Sequence, residues 1–283
     1  MRAVTIDDLL RLHAALFFDA YGVLVDGQGA LAGARELVCR LEREATRYFI
    51  LTNDASRLPE TMERRFKSFG LPIPRERIVS SGDLLSSVFA SRGQEGSRCV
   101  VLGPPDSHAL VARAGGTVVP HGVRQEFDAL IVGDESGFPF LEALDDVLSM
   151  LFRKLDRGES PTLLLPNPDL LYPKREHEFG FAAGTVARMI EEAIDLRFPE
   201  ANLRFVRLGK PHAPIFAEAC RRAETRDAVM IGDQLHTDIL GANDFGIASA
   251  LVDSGLTRSD AAVRALVRPT YLLRSLACEE QGV

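Results

Sequence analysis

Short apolar runs that stop at a polar residue recur along this chain. "AALFF" (14–18) stops at Asp19, "RYFILTND" (47–54) runs into polar residues, and "DAVMIGDQLHTD" (227–238) repeats the pattern. Runs this short, continuous rather than alternating, fit strands buried on both faces of a parallel sheet. Helical spacing fills the intervals. "AGARELVCRLEREA" (32–45) places Ala34, Leu37, Val38 and Leu41 on one face, and "LPETMERRFKSFG" (58–70) reads as a helix closed by Gly70. "RIVSSGDLLSSVFASRG" (77–93) predicts a strand and then a helix capped near Ser80 or Ser81. Strand, loop and helix thus alternate over roughly the first 90 residues, the signature of a doubly wound parallel α/β sheet.

The middle is less regular. Strands are predicted over 98–105, 116–120 and 127–135, and a helix over 140–158 ends at Gly158. "PTLLLPNPDLLYP" (161–173) is a strand entering a proline-punctuated loop, followed by a helix over 182–198. From "LRFVRLGKPHAP" onward the strand-loop-helix pattern resumes, and "PTYLLRSLACEEQGV" gives a last short strand and tail.

Composition narrows the class. An apolar fraction of 46% and a charged fraction of 26% are those of an ordinary globular protein. A net charge of −7 disfavours a basic nucleic-acid surface, yet a local cation can still invert the field in one cleft. No apolar run approaches the roughly 18 residues that span a bilayer, and the acidic N-terminus lacks a signal-peptide core. The cysteines Cys39, Cys99, Cys220 and Cys278 have no metal spacing and are expected as buried thiols in a reducing cytoplasm. No nucleic-acid or membrane partner is expected.

Loops at the carboxyl edge of such a sheet converge, and ligands bind there. Asp19, Thr52, Lys210, Asp233 and Asp238 all fall in such loops. A carboxylate nucleophile, a hydroxyl, a lysine and an acidic pair are the groups that phosphoryl transfer needs. A divalent ion on the oxygen ligands would remove the repulsion between Asp19 and a phosphate dianion.

With these residues in place, the chain resembles the haloacid dehalogenase superfamily of hydrolases, and most closely its class IIA, NagD-like phosphatases. The resemblance rests on "DAYGVLVDG" (19–27), "LTNDASR" (51–57), "VGDESGFPFLEAL" (132–144), "NPDLLYP" (167–173), "LGKPHAPIF" (208–216) and "IGDQLHTDILGANDFGIASALVDSG" (231–255). It implies a core over 1–82 and 203–283 with an inserted α/β cap domain over 83–202. It also implies Mg2+ and a small phosphorylated metabolite as substrate, and it allows a homodimer. By resemblance Asp19 is the nucleophile, and Thr52 and Asn53 bind phosphoryl oxygens. Lys210 steadies nucleophile and phosphate. Asp19, the Tyr21 carbonyl and Asp233 ligate the metal, with Asp238 close behind. Asn167 and Asp169 lie in the cap loop that faces substrate.

Tyr21 is the departure, for most phosphatases of this superfamily carry there a second aspartate that protonates the leaving alcohol. A tyrosine ordinarily keeps its proton to about pH 10, and a lost general acid costs ~10²–10⁴ in rate. One reading is a slow phosphatase in which Tyr21, Asp26, Asp54 or His212 handles the proton. A second is a regulatory phosphate-binding protein. A third is a 2-haloacid dehalogenase, since "DAYG" is similar to that nucleophile loop, although the acidic pair speaks against it. His13, His108, His121 and His177 read as surface or packing residues. His212 and His236 fall in motif loops. Lys174 and Arg175 follow the cap loop, and the glycines at 22, 27 and 29 suggest a flexible flap.

Overall fold

The computed structural model describes residues 2–122, 125–175, 178–252 and 266–277. The chain forms two compact units. One comprises Met1–Thr52, Pro59–Ser80 and Lys210–Val283, the other Asn53–Leu58 and Ser81–Gly209.

From the N-terminus the first unit contributes β1 (Arg2–Val4), α1 (Ile6–Leu12), β2 (Ala15–Asp19), α2 (Ala34–Arg43), β3 (Tyr48–Thr52), α3 (Pro59–Ser68) and β4 (Ile78–Ser80). The second unit follows with α4 (Leu84–Arg92), β5 (Arg98–Leu102), α5 (Pro105–Arg113), β6 (Thr117–Val119) and β7 (Ala129–Val132). It continues through α6 (Phe140–Asp156), β8 (Thr162–Leu165), β9 (Leu171–Arg175), β10 (Glu178–Phe181), α7 (Ala183–Arg197) and β11 (Val206–Arg207). The chain then returns to the first unit with α8 (Ala213–Ala223), β12 (Ala228–Gly232), α9 (Leu240–Phe245), β13 (Ala248–Val252) and β14 (Tyr271–Leu273).

The first unit is built on a seven-stranded parallel sheet ordered β1-β14-β13-β12-β2-β3-β4. The interior strand β2, between β12 and β3, is buried along its whole length, which is why "ALFFD" shows no alternation. Phe18 meets Tyr48 on one face, and Phe17 meets Phe49 on the other, both edge-on. Leu37, Val38 and Leu41 of α2 join the same core as the periodicity predicts. The second unit has its own five-stranded parallel sheet, ordered β11-β8-β7-β5-β6. Helices α6 and α7 cover it through Leu144, Val147, Leu151, Val186 and Ile190. Two doubly wound parallel sheets are therefore present, the second in the inserted region.

Several elements differ from the sequence reading. The resemblance places residues 203–209 in the core, whereas β11 pairs with β8 and the second unit runs to Gly209. A two-residue strand carries too little pattern to declare its partner. Segment Asn53–Leu58 belongs to the second unit although it continues β3 directly. Ser81 Oγ donates to Asn53 O and Ser107 Oγ to Ala55 O, both at 2.8 Å, and Leu58 N donates to Asp106 Oδ2 at 3.0 Å. Ser81 is therefore a loop fastener, not a cap, and α4 starts only at Leu84. The proline-punctuated loop after β8 contains an antiparallel hairpin, β9–β10. Helix α1 was unread, yet Thr5 and Asp8 cap it reciprocally, and the Thr-x-x-Asp spacing is its signal. Cys99 and Cys220 are buried as expected, Cys39 is exposed on α2, and Cys278 lies outside the described residues. No described helix is long and apolar enough to cross a membrane.

Candidate active site

Parallel pairing brings three strand ends to one edge. Ile231 of β12 stands beside Phe18 of β2, and Leu51 of β3 beside Asp19. Asp233 and Thr52 therefore emerge next to Asp19. All three are nearly buried, between 5% and 6% exposed. Asp238 comes from a wide π-helical turn, Leu235–Ile239, in which Ile239 N donates to Gln234 O at 3.3 Å. Asp238 Oδ2 accepts from Gln234 N at 3.1 Å, and its side chain is fully buried.

Lys210 joins these groups. Its Nζ lies 2.7 Å from Asp19 Oδ1 and 2.8 Å from Asp238 Oδ1. Asp19 Oδ1 also accepts from Ala20 N at 2.7 Å, which fixes the carboxylate plane. Burial alone would push the Lys210 ammonium down, but Asp19 and Asp238 outweigh it and hold its pKa above the ordinary lysine value. Burial pushes the Asp238 carboxyl well above the carboxylate range. Lys210 pulls it back, and Asp19 and Asp233 add to the push.

Asp19, Asp233 and Asp238 each place one oxygen within 4.8 Å of the others. Three carboxylates thus face one ammonium in a buried position. Burial first, and the surplus negative charge after it, raise Asp238, and a hard divalent cation on this all-oxygen set would offset that charge. The donor set therefore fits Mg2+ or a similar ion.

Two glycines make the cluster possible. Gly22, with φ +81°, lies so close to Asp233 that a Cβ would overlap the carboxylate. A Cβ on Gly232 would overlap the Asp238 side chain. The loop after Asp19 is not a free flap. Gly22 N donates to Val25 O at 2.9 Å and Leu31 N to Leu24 O at 2.9 Å, and Val23, Leu24 and Val25 are buried. The Tyr21 side chain is 36% exposed, with the Arg65 guanidinium 5.7 Å from its ring centre. Arg65 also stands over Phe69, four residues on along the chain. Nothing in the sequence ties Arg65 to Tyr21.

The proton-transfer candidates have structural tasks. Asp26 Oδ1 accepts from Gln28 N at 2.7 Å and Gly29 N at 2.9 Å, closing a turn. Asp54 accepts from Ser56 N at 2.8 Å and pairs with Arg57. His212 occupies the N-cap position of α8, and His236 is exposed. His13 contacts Asp227 and Tyr271, and His121 pairs with Asp146 at 2.8 Å. Lys174 Nζ lies 5.7 Å from the Tyr172 ring centre. His177 and the Arg175 side chain lie outside what is described.

Within the second unit, Asn53 Nδ2 donates to Asp169 Oδ1 at 2.9 Å, and Asp169 N donates to Asn167 Oδ1 at 3.0 Å. The structure therefore groups the sequence-read residues into two sets. Asp19, Lys210, Asp233 and Asp238 form a charged set with Thr52 beside it, while Asn53, Asn167 and Asp169 form a hydrogen-bonded one.

Comparison with known proteins bears on the family and the fold. Residues 16–117 match a family model described as haloacid dehalogenase-like hydrolase, and residues 207–278 match a second, HAD-hydrolase-like model. The dihydroxyacetone phosphatase of Corynebacterium glutamicum is 27% identical over 271 residues, covering 95% of this chain and 91% of that protein. A possible sugar phosphatase of the HAD superfamily from Cytophaga hutchinsonii superposes with a TM-score of 0.82 at 29% identity, covering 99% of both chains. The glycerol phosphate phosphatase of Mycobacterium tuberculosis, solved with magnesium, shares the fold at TM-score 0.77 and 23% identity, covering 98% of this chain and 78% of that one. The same enzyme has also been solved with calcium. The chain belongs to the haloacid dehalogenase-like hydrolases, and it shares the fold of NagD from E. coli, at a TM-score of 0.75 and 22% identity over 94% of this chain and 97% of that one.

Proposed function

We propose that this phosphoric monoester hydrolase cleaves small phosphate monoesters through a phosphoryl-enzyme intermediate on Asp19 and that it requires Mg2+. The observation that carries the reading is the buried set of Asp19, Asp233, Asp238 and Lys210. Asp19 is held by Ala20 N and Lys210, so one carboxylate is oriented before substrate arrives. Lys210 offsets the charge of Asp19 and of an incoming phosphate. A bound divalent cation supplies further neutralisation of the phosphoryl oxygens. In the first half-reaction an Asp19 carboxylate oxygen bonds to phosphorus as the ester P–O bond breaks, and the leaving oxygen takes a proton. In the second, water attacks phosphorus and releases Asp19. Thr52 and Asn53 are proposed to bind phosphoryl oxygens, and Asn167 and Asp169 to line the substrate side of the cap. The Tyr21 carbonyl is proposed as a further ligand, supported by the closeness of the adjoining Gly22 to Asp233. An acidic cluster of this kind favours phosphate chemistry over halide displacement, which needs no cation.

The substrate proposed first is a three-carbon phosphate, since dihydroxyacetone phosphate is the substrate named for a 27% identical relative. Release of inorganic phosphate with Mg2+, lost in chelator and falling at least ~10³-fold in Asp19→Asn, is the expected result. Turnover that survives Asp19→Asn would refute the nucleophile assignment.

We also propose a homodimer through the β9–β10 hairpin. Leu171, Phe179 and Phe181 are 56%, 67% and 69% exposed there, and large exposed apolar side chains grouped on one element favour an interaction surface. Phe179→Ser with Phe181→Ser should convert a dimer to a monomer by light scattering. An unchanged mass would remove the hairpin from the interface.

A further inference from the structure

Tyr21 is held in the main chain by two neighbours that touch the charged set of the first unit. Ala20 N donates to Asp19 Oδ1 at 2.7 Å, and Ala20 O accepts from Leu24 N at 3.0 Å and Val25 N at 2.9 Å. On the other side Gly22 N donates to Val25 O at 2.9 Å, and a Cβ on Gly22 would overlap the Asp233 carboxylate. The backbone of Tyr21 is therefore fixed beside two carboxylates of the site. Its side chain is held differently. Tyr21 is 36% exposed, and its hydroxyl has no hydrogen bond among the described residues. What stands against the ring is the Arg65 guanidinium, 5.7 Å from its centre.

That guanidinium has a firm base. Met62 and Phe66 seat α3 in the core, and Phe69, just past its end, packs against the same core. Arg65 lies 5.4 Å from the Phe69 ring centre as well, so it bridges a core-packed ring and Tyr21. Arg77 stands over two rings in the same manner, Tyr48 and Phe49, but it also faces Glu42 at 3.9 Å and donates to Tyr48 O at 3.4 Å. Arg65 has no carboxylate partner among the described residues. Aromatic faces attract a cation, and a weakly hydrated guanidinium most readily, so the two rings suffice to place it.

We propose that Arg65 is a positioning residue for Tyr21: it holds the phenol ring so that the hydroxyl donates a hydrogen bond to the leaving-group oxygen. This deepens the function proposed above and rests on it, with Asp19 as nucleophile and residue 21 beside the leaving group. A phenol hydroxyl donates as well as accepts. A donor aimed at the oxygen on which charge develops stabilises the transition state more than the ground state. The effect should grow with the charge that oxygen must carry, so poor leaving groups should feel it most.

Hydrolysis of phenyl phosphate and nitrophenyl phosphate with Mg2+ tests it. Tyr21→Phe should lower kcat/KM for phenyl phosphate about 5–10-fold, the size of one hydrogen bond, and for nitrophenyl phosphate about 2-fold or less. Arg65→Met should lower it about 2–5-fold for phenyl phosphate, the range of one exposed cation–π contact, with the same bias between the substrates. In a Tyr21→Phe background Arg65→Met should add nothing, the mark of two residues acting as one unit. Equal losses on the two substrates, or the full loss in the Tyr21→Phe background, would overturn the proposal. Fluorine NMR gives a readout without turnover. The chain has four tyrosines, so 3-fluorotyrosine labelling gives four signals, and Tyr21→Phe identifies one of them. That signal should move in substrate-free Arg65→Met, and a signal left where it stands would overturn the proposal. If Asp19→Asn still turns over, or the wild-type protein hydrolyses no phosphate ester, the proposed function falls together with the hydrogen bond to the leaving oxygen. The fluorine signal then still decides whether Arg65 holds the ring.

Discussion

The two sheets of this molecule share a parallel, doubly wound architecture and differ at their carboxyl edges. In the seven-stranded sheet the strands run into Asp19, Thr52 and Asp233, with Lys210 and Asp238 folded against them. In the five-stranded sheet they run into Gly103, Gly133 and Pro166. There the small residues admit Ser107, whose Oγ would lie 2.7 Å from a Cβ on Gly103 and 2.9 Å from one on Gly133. One edge concentrates unlike charges, and the other is filled by close packing. Architecture alone therefore does not make a catalytic edge; the side chains placed on it do.

The comparison can be broken at the charged edge first. If Tyr21 withholds a proton from the leaving group, Tyr21→Asp should raise turnover of an alkyl phosphate by ~10²-fold or more and of an aryl phosphate far less. Equal gains would show that proton transfer is not what Tyr21 limits. A second effect should be on stability. Lys210→Ala leaves Asp19 and Asp238 without their ammonium and should cost about 3–5 kcal/mol in denaturant unfolding with chelator present. The same cluster sets a pH dependence. Burial, with Asp19 and Asp233, holds the folded pKa of Asp238 above its unfolded value, so the folded state binds the extra proton between those two values. In chelator, stability should fall as pH rises across that window, and Mg2+ should flatten the slope. A slope unchanged by Mg2+ would argue against an ion at these carboxylates. The smallest effects should separate the two edges. Gly22→Ala, at positive φ and against Asp233, should cost about 2–3 kcal/mol and abolish stabilisation by Mg2+. Gly133→Ala should cost about 1–2 kcal/mol through crowding of Ser107 while leaving that stabilisation intact. Both glycines behaving alike would erase the distinction.

Much of this arrangement is legible in the sequence because parallel strands buried on both faces leave continuous apolar runs. β2, β3 and β12 are each readable, and Asp19, Thr52 and Asp233 stand at or just beyond their carboxyl ends. The α2 and α6 periods survived because each helix buries one stripe on a sheet. What escaped depends on partners distant in sequence. β11 is two residues long, and only its pairing with β8 shows which sheet owns it. Segment 53–58 follows a strand of one unit but is fastened to the other by Ser81, Ser107 and Asp106. The placement of Tyr21 beneath Arg65 comes from α3, 44 positions on in the sequence, and leaves no local trace. Asp26 and Asp54 looked like spare acids, yet each closes its own turn, the common fate of aspartate in loops.

The wide turn at Leu235–Ile239 has a consequence for how this loop tolerates change in length. It carries one residue more than an ordinary helical turn. Deleting a single position there would tighten the coil and swing Asp238 by roughly 100° about the axis. Its carboxylate would turn away from Lys210 while α9 and the sheet kept their shape. A shortened variant would thus be well folded and inert, so the spacing between Gly232 and Asp238 is a count that the chemistry, more than the fold, requires.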